Sequence, residues 1–270
     1  MAVKEIKEGD GMLKGLLYFV VIILANSVGA ISGMGGGVII KPVLDLIGLD
    51  PVEQVSFYST VAVFAMSLVS TYRQSKQGVD INWGNAGWLS AGSVAGGILG
   101  NSVFEMILNR YNGDTVQLTQ IVLTVITLIF AYVYNRFDLP SFQLAGKEWF
   151  AGAGLFLGFL ASLLGIGGGP INVSLLMLLF AMPIKPATVY SICTIFFSQL
   201  SKIITIALTT GFDRYDMGLM PYIIVAGVCG GFLGAKLSRV MADDKINLVF
   251  RAIIILVCAI NVYNGFMLFS

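Results

Sequence analysis

The chain has 270 residues, of which 57% are hydrophobic and 11% are charged, and its mean hydropathy is +0.87. Because soluble domains carry about 25% charged residues, this composition excludes an ordinary soluble protein and indicates an integral membrane protein. A net charge of +1 without a basic patch gives no support to nucleic-acid binding. Histidine, the commonest metal ligand, is absent, so we expect neither a metal nor a cofactor.

The first half of the chain begins with a polar stretch of both charge signs and becomes apolar from Leu16 to Ile31. This run is longer than the apolar core of a signal peptide and lacks a clear cleavage site, so we interpret it as an uncleaved first membrane helix. Five apolar segments are predicted in this half: Leu13–Ser32, Val38–Leu49, Val52–Ser75, Trp83–Leu108 and Thr115–Tyr134.

The second half shows the same order of five apolar segments. They are Glu148–Leu164, Pro170–Met182, Ile184–Thr210, Met217–Val240 and Ile246–Phe269. A polar stretch with Asp138, Pro140 and Gly146 precedes them. We therefore predict two repeat halves, residues 1–135 and 148–270, joined by a linker at 136–147.

These segments predict an all-α polytopic membrane protein with about eight net transmembrane crossings, four in each half. Val38–Leu49 and Pro170–Met182 are too short to span, since twelve residues form about 18 Å of helix against a hydrocarbon core of about 30 Å. Each is either re-entrant or the second part of a broken crossing. The loop Lys and Arg residues divide eight to five with either eight or ten crossings, but favour opposite sides for the N-terminus. Parallel and inverted halves therefore both stay open.

One glycine cluster occurs twice, at 33–37 and at 165–169, and it is the most informative motif in the chain. At an offset of 132 residues, positions 33 to 64 give eleven identities with the second half. These are Gly33, Gly35, Gly36, Gly37, Ile39, Leu44, Leu46, Pro51, Tyr58, Ser59 and Phe64. The repetition indicates an internal duplication, and its shared helix breaks are the first place to look for a site.

Each glycine cluster leads directly into a short apolar helix. Irregular backbone at membrane depth is tolerated only where it is buried in protein or lines a cavity. A helix N-terminus offers free N–H donors and the positive end of the helix dipole, and Pro170 is typical of a first helical position. Two such loops facing each other would form a donor-rich pocket for a small anion. The alternative is close helix packing by small residues.

A few polar side chains near these loops are further candidates. Lys202 lies within an apolar segment, and Gln199 and two serines share its polar surface. Lys41 lies one turn after the first loop, where Asp45 can neutralise it. The predicted substrate-binding residues are Gly33, Gly35, Gly36, Gly37, Lys41, Ser59, Gly165, Gly167, Gly168, Gly169, Asn172, Ser191, Gln199 and Lys202. No catalytic residue and no metal ligand is predicted.

The paired G-x-GGG loops, each followed by a short apolar helix and a proline-led segment, resemble those of the sulfite exporter TauE/SafE family. The resemblance covers nearly the whole chain. It implies a plasma-membrane carrier for a small sulfur-containing anion such as sulfite or an organosulfonate. The chain departs from strict repetition where Val38 stands opposite Pro170, so the two loops need not contribute equally.

The leading hypothesis is a secondary transporter of a small anion that works by alternating access between the halves. A passive anion channel is the first alternative. An intramembrane enzyme is the second, with Ser198 or Ser201 beside Lys202 as its candidate nucleophile and base. The expected partners are the anionic substrate and the lipid bilayer, and a homodimer is one assembly that the sequence allows.

Overall fold

The computed structural model describes residues 11–74, 82–137 and 139–268, and within them it is helical without strands. The helices in chain order are α1 (Gly11–Ser32), α2 (Gly37–Ile47), α3 (Val52–Gln74), α4 (Trp83–Arg110), α5 (Gly113–Phe137), α6 (Lys147–Leu164), α7 (Pro170–Phe180), α8 (Ile184–Thr209), α9 (Met220–Val240) and α10 (Asp243–Met267). A 3₁₀ turn, Met217–Leu219, directly precedes α9.

Eight of these helices have the length and apolar composition needed to cross a membrane, all except α2 and α7. This confirms the predicted class, an all-α multi-pass membrane protein. The helix bounds lie within a few residues of the predicted segments. Residues 1–10, which precede the predicted first helix, and the predicted segment ends Ser75 and Phe269 lie outside the described residues.

The first pair of helices, α1 and α2, forms a hairpin. The Lys14 ammonium near the start of α1 forms an ion pair with Asp50, just beyond α2, with an Nζ–Oδ1 distance of 2.7 Å. The Tyr18 hydroxyl donates to the same carboxylate at 2.5 Å. The two outer ends of the hairpin therefore lie on one face of the protein, which we call the α1 face. Helix α2 is thus re-entrant, and not the continuation of a crossing.

The second pair, α6 and α7, has the same form. The backbone N–H groups of Phe142 and Leu144, which precede α6, donate to the carbonyls of Leu178 and Leu179 near the end of α7, at 2.8 and 2.7 Å. Phe150 stacks on Phe180 with ring centroids 3.9 Å apart. The outer ends of this hairpin therefore also lie together, on a face that we call the α6 face.

The two hairpins enter from opposite faces. The Tyr58 hydroxyl at the start of α3 donates to the carbonyl of Asp216 beyond the end of α8, at 3.1 Å. The Tyr190 hydroxyl at the start of α8 lies 2.9 Å from the backbone nitrogen of Asn82, beyond the end of α3. Helices α3 and α8 therefore run antiparallel. Because each follows its own hairpin, the halves have an inverted arrangement.

Glycines let long helices approach closely around both hairpins. A methyl group at Gly96 of α4 would overlap the carbonyl oxygen of Leu155 in α6. A methyl group at Gly234 of α9 would overlap the carbonyl oxygen of Ser27 in α1. These glycines therefore serve close helix packing. They let α4 pack on α6 of the second hairpin and α9 pack on α1 of the first. Two large apolar clusters fill the interior, one mainly around α1–α3 and the other around α5–α7 and α10.

Candidate functional site

The two glycine loops lie deep in the protein. Helix α2 has 11 residues, so its length along the axis is about 16 Å, roughly half of a 30 Å hydrocarbon core. Because α2 ends at the α1 face, its first residue, Gly37, lies near mid-membrane. Helix α7 also has 11 residues but ends at the opposite α6 face, so its first residue, Pro170, also lies near mid-membrane. All residues of both loops, 33–37 and 165–169, are buried.

The two loops share a backbone conformation that favours glycine. Gly33 and Gly35 have φ values of 73° and 76°, and Gly165 and Gly167 both have 66°. In both loops the third residue, a glycine, donates its N–H to a carbonyl of the preceding long helix at 3.3 Å, from Gly35 to Gly29 and from Gly167 to Ala161. The loops differ one position later, because Gly36 is right-handed whereas Gly168 has a φ of 123°.

The tips of the two loops are in direct contact. A methyl group at Gly37 would overlap the carbonyl oxygen of Ile166. A methyl group at Gly35 would lie 3.4 Å from the carbonyl oxygen of Gly167. The glycines therefore bring two re-entrant backbones together at the centre of the protein, as the sequence hypothesis of facing loops requires.

Hydroxyl residues from the opposite half hold each loop. A methyl group at Gly33 would lie 2.7 Å from Thr188 of α8, and one at Gly165 would overlap the hydroxyl of Ser56 in α3. The Ser191 hydroxyl donates to the carbonyl of Gly33 at 2.6 Å. Sequence reasoning missed Ser56 and Thr188. Their signal was present, since they are 132 residues apart and both carry a hydroxyl.

Several polar groups at the loops have no hydrogen-bond partner among the described residues. Asn172 is 1% exposed, and neither its Nδ2 nor its Oδ1 is paired. Its Nδ2 would lie 3.2 Å from a methyl group at Gly168. The Ser59 hydroxyl is also unpaired and lies beside Gly37. The Asn26 Oδ1 is unpaired beside Gly36, and no sequence signal pointed to this residue. Buried polar atoms are rarely left unpaired, so these groups are available to a ligand.

Lys202 lies next to the second loop. Its ammonium donates to the Ser56 hydroxyl at 3.1 Å and to the carbonyl of Ser162, in the last turn of α6, at 3.0 Å. The ring of Phe104 is 5.2 Å from the nitrogen. The side chain is 1% exposed, so it does not reach the membrane surface. The ammonium therefore stabilises the C-terminus of α6 as well as placing a charge near the loop.

The remaining candidates are less open to a ligand. The Lys41 ammonium forms an ion pair with Asp45 at 2.8 Å, with both side chains about 5% exposed or less. Gln199 is buried, donates to the Ser198 hydroxyl at 3.3 Å and leaves its Oε1 unpaired. The hydroxyls of Ser198 and Ser201 donate to carbonyls of their own helix at 3.0 and 2.9 Å. The Lys202 ammonium thus pairs with Ser56 rather than with either serine of the enzyme hypothesis.

The α1 face is closed over the loops by the segment between α8 and α9. Tyr215 of this segment stacks on Phe57 with centroids 4.0 Å apart. Arg214 forms a two-bond ion pair with Glu105, at 3.0 and 2.5 Å. This carboxylate holds the pKa of the Arg214 guanidinium above its usual range. Together with the Tyr58–Asp216 bond, these contacts make a charged and aromatic closure.

At the α6 face, the described residues make fewer closing contacts. The Tyr190 hydroxyl exchanges hydrogen bonds with the backbone of Asn82, at 2.9 and 3.2 Å. Beside this contact lies a cleft of about 490 Å³ between α3, α4 and α8. Its lining includes Thr71, Trp83, Ser90, Cys193, Phe196 and Phe197. The two faces are therefore closed by different chemistry.

Two re-entrant hairpins that meet at mid-membrane define a polytopic membrane protein with an internal, polar-lined contact point. The family model of the sulfite exporter TauE/SafE matches residues 18–261, and the chain belongs to this family. The chain is 24% identical over 264 residues to the probable membrane transporter protein YunE of Bacillus subtilis (strain 168), covering 90% of this chain and 95% of the relative. It is also 24% identical over 255 residues to the probable membrane transporter protein MJ0441 of Methanocaldococcus jannaschii, covering 88% and 91%.

No solved structure matches the chain. The family and the two relatives support membrane transport, and they identify a multi-pass membrane transporter rather than an enzyme. This confirms the resemblance seen in the paired glycine loops. The predicted plasma-membrane location is in keeping with these names and with the eight apolar helices.

Proposed function

We propose that the protein is a secondary transporter of a small anion, and that the anion binds where the two glycine loops meet. The observation that carries this proposal is the pair of unpaired polar groups at the contact point, the Asn172 amide and the Ser59 hydroxyl. Both can donate a hydrogen bond to an oxyanion. The starts of α2 and α7 add backbone N–H donors beside them, which in α7 come from the residues after Pro170 because proline has no N–H.

The substrate class is a sulfur-containing oxyanion or an organosulfonate. The name of the family supports sulfur chemistry. The site supports an oxyanion, because its available groups are neutral donors and one ammonium, that of Lys202. Oxygen atoms of a sulfonate or sulfite group can accept several such bonds at once.

Alternating access follows from the inverted arrangement of the hairpins. Opening of the Tyr190–Asn82 contact would expose the loops to the α6 face. Opening of the Tyr58–Asp216 contact would expose them to the α1 face. Both contacts are made in this conformation, which favours a carrier over a passive channel.

Transport into proteoliposomes tests the proposal. We expect flux of at least one compound among sulfite, sulfoacetate, sulfate and the zwitterion taurine, and we expect it to saturate. Asn172→Ala should reduce this flux about tenfold through the loss of hydrogen bonds to a charged ligand. Asn261→Ala is a matched control, since Asn261 is also buried but donates to Val257 of its own helix. Absence of flux for every anion, or equal losses in the two variants, would contradict the proposal.

A further inference from the structure

We propose that Asp45 binds a proton together with the anion, because protonation of this carboxylate releases the Lys41 ammonium toward the glycine loops. The inference rests on the proposed function and deepens it by adding a coupled proton to the same site. Its basis is a buried ion pair on the re-entrant helix α2 that the second hairpin lacks.

The Lys41–Asp45 ion pair is not explained by the stability of its hairpin. The Nζ–Oδ2 distance is 2.8 Å, and the two side chains are 4% and 5% exposed. Asp45 lies in the last turn of α2, at the negative end of the helix dipole, and the order lysine before acid is the weaker one in a helix. At the offset of 132, Val173 and Met177 occupy these positions in α7. A hairpin of this form therefore folds with apolar residues in place of the pair.

The Lys41 ammonium can reach the contact of the two loops once it is released. Gly37, Lys41 and Asp45 are spaced four residues apart, so they lie along one side of α2. At Gly37 this side faces the other loop, since a methyl group there would overlap the carbonyl oxygen of Ile166 and lie 2.7 Å from the Ser59 hydroxyl. Long helical side chains cover the turn that precedes their own Cα. Without its carboxylate partner, Lys41 would therefore lie over Gly37, beside Ser59.

The proton step involves these two side chains alone. A proton from water at the α1 face bonds to a carboxylate oxygen of Asp45, and the ion pair with Lys41 is lost. The ammonium keeps its protons and its charge, which then attracts the anion. Asp45 is two residues before the end of α2, about 3 Å along the helix axis, so the α1 face is the nearer source of the proton.

The titratable groups of α1 and α3 near Asp45 have other partners. The Tyr18 hydroxyl interacts electrostatically with Asp45, but it donates its hydrogen bond to Asp50 at 2.5 Å. Asp50 is also paired with Lys14. The Tyr58 ring of α3 packs edge-on against Tyr18, with centroids 6.1 Å apart. Among the described acids here, Asp45 is therefore the one whose protonation frees Lys41.

Helices α10 and α8 complete the surroundings of the pair. Helix α10 contributes the neutral amide of Asn264, which donates to the carbonyl of Pro42 at 2.8 Å, and its charged residues lie in its first half, toward the α6 face. On α8, the ammonium of Lys202 interacts electrostatically with Lys41. Lys202 is thus the second group that could make anion binding depend on pH, and the experiment must separate it from Asp45.

Anion binding and transport measured against pH test the proton switch. Sulfate and sulfoacetate are suitable probes, because neither changes its charge near neutral pH. We expect the affinity of the wild type for at least one of them to rise as the pH falls between about 8 and 6, by up to about tenfold for each pH unit, since one proton binds with one anion. In proteoliposomes with a clamped membrane potential, an inward proton gradient should drive accumulation of this anion.

Two variants and a control assign this effect to the ion pair. Asp45→Asn should keep Lys41 released, so its affinity at high pH should rise to the wild-type value at low pH, and the dependence on pH should be lost. Lys41→Val combined with Asp45→Met copies the second hairpin. It should fold, bind the anion about tenfold more weakly at low pH and show no dependence on pH. Asp243→Asn breaks the exposed ion pair with Lys185 and should behave as the wild type.

Two results would overturn the proton switch and leave the proposed function standing: wild-type binding that does not change with pH, or a dependence on pH that persists in Asp45→Asn. The second result would assign the effect to Lys202. If Asp45→Asn does not fold, wild-type affinity and pH dependence in the double variant would overturn the switch instead. If no anion binds or is transported at any pH, the proposed function itself fails.

Discussion

The two glycine loops have nearly the same sequence, but the polar side chains around them differ in hydrogen bonding. Ser191 of the second half donates to the first loop at 2.6 Å. Its counterpart at the same offset, Ser59, has no partner among the described residues. In the second loop Asn172 is unpaired, whereas Ile40 occupies the corresponding position after the first loop. Ser191 therefore holds the first loop, whereas the hydroxyl of Ser59 is unpaired in the described structure.

In the proposed site, this difference gives the two loops unequal sets of polar atoms. Residues that fix backbone geometry, the positive-φ glycines Gly33, Gly35, Gly165 and Gly167, occur in both halves. Other residues differ between the halves. Ser59 and Asn172 have unpaired polar atoms, and Lys202 has no ion-pair partner among the described residues. At the offset of 132, their counterparts are the bonded Ser191, Ile40 and Ser70. The repeated glycines position the loops, and the residues that differ between the halves supply the polar atoms of the proposed site.

The largest expected effect comes from the last glycine of each motif. A methyl group at Gly37 would overlap the backbone carbonyl of Ile166, whereas one at Gly169 would meet the flexible Ile166 Cδ1 at 3.3 Å. Gly37→Ala should therefore lower the free energy of unfolding by about 3 kcal/mol and abolish transport. Gly169→Ala should lower it by less than about 1 kcal/mol. Thermal unfolding in detergent measures both, and equal shifts would contradict the direct contact of the loops.

The two serines give the next largest contrast. Ser191→Ala leaves the buried Gly33 carbonyl without its partner and should lower the free energy of unfolding by about 2 kcal/mol. Ser59→Ala removes an unpaired hydroxyl, so it should leave stability nearly unchanged.

Although Ser59→Ala should leave stability nearly unchanged, it should reduce transport. We expect Ser59→Ala to reduce anion flux about fivefold, which corresponds to one neutral hydrogen bond. Loss of stability without loss of flux in Ser59→Ala would assign this serine to packing and remove it from the site.

The two closures can be compared through a native thiol. Tyr190→Phe removes the bond to Asn82 and should raise the fraction of molecules open at the α6 face about fivefold. Cys193, which is buried and lines the cleft at this face, should then react faster with a maleimide. Tyr58→Phe acts at the opposite face and is the matched control. An unchanged rate in Tyr190→Phe would show that this contact does not close the cleft.

The sequence predicted the helices well because their signals are local. Apolar segments, Pro170 at the start of α7 and the spacing of the two glycine motifs can all be read within short windows. The return of α2 along α1 could not be read in this way. It depends on contacts such as Lys14 with Asp50, between residues 36 positions apart, whose charges alone indicate no pairing.

The site was predicted in outline but not in its detail. The glycines, Asn172 and Ser59 were identified from the repeat and from helix starts, and their role in binding stays a prediction. Lys41 was identified as a candidate, but its ammonium forms an ion pair with the carboxylate of Asp45. The position of Lys202 beside Gly165 could not be read from the sequence, since it depends on the depth of the loops, which follows from the hairpin contacts at the ends of α2 and α7.

The smallest predicted difference is the unequal number of positive charges at the two faces, which indicates the face that is cytoplasmic. Near helix ends, described Lys and Arg residues number seven at the α6 face and three at the α1 face. Those at the α6 face are Arg73, Arg136, Lys147, Lys185, Lys236, Arg239 and Lys245, and those at the α1 face are Lys14, Arg110 and Arg214. Positive charge favours the cytoplasmic side, so the inverted arrangement predicts an α1 face outside the cell.

Single cysteines in a variant without native cysteines test this orientation in intact cells. Met217→Cys at the α1 face should react with a membrane-impermeant maleimide, because Met217 is 46% exposed. Leu139→Cys between α5 and α6, where the side chain is 44% exposed, should react only after the cells are opened. The reverse pattern would place the Arg214–Glu105 closure in the cytoplasm, and an anion attracted to the buried Lys202 would then meet the charged closure from inside the cell.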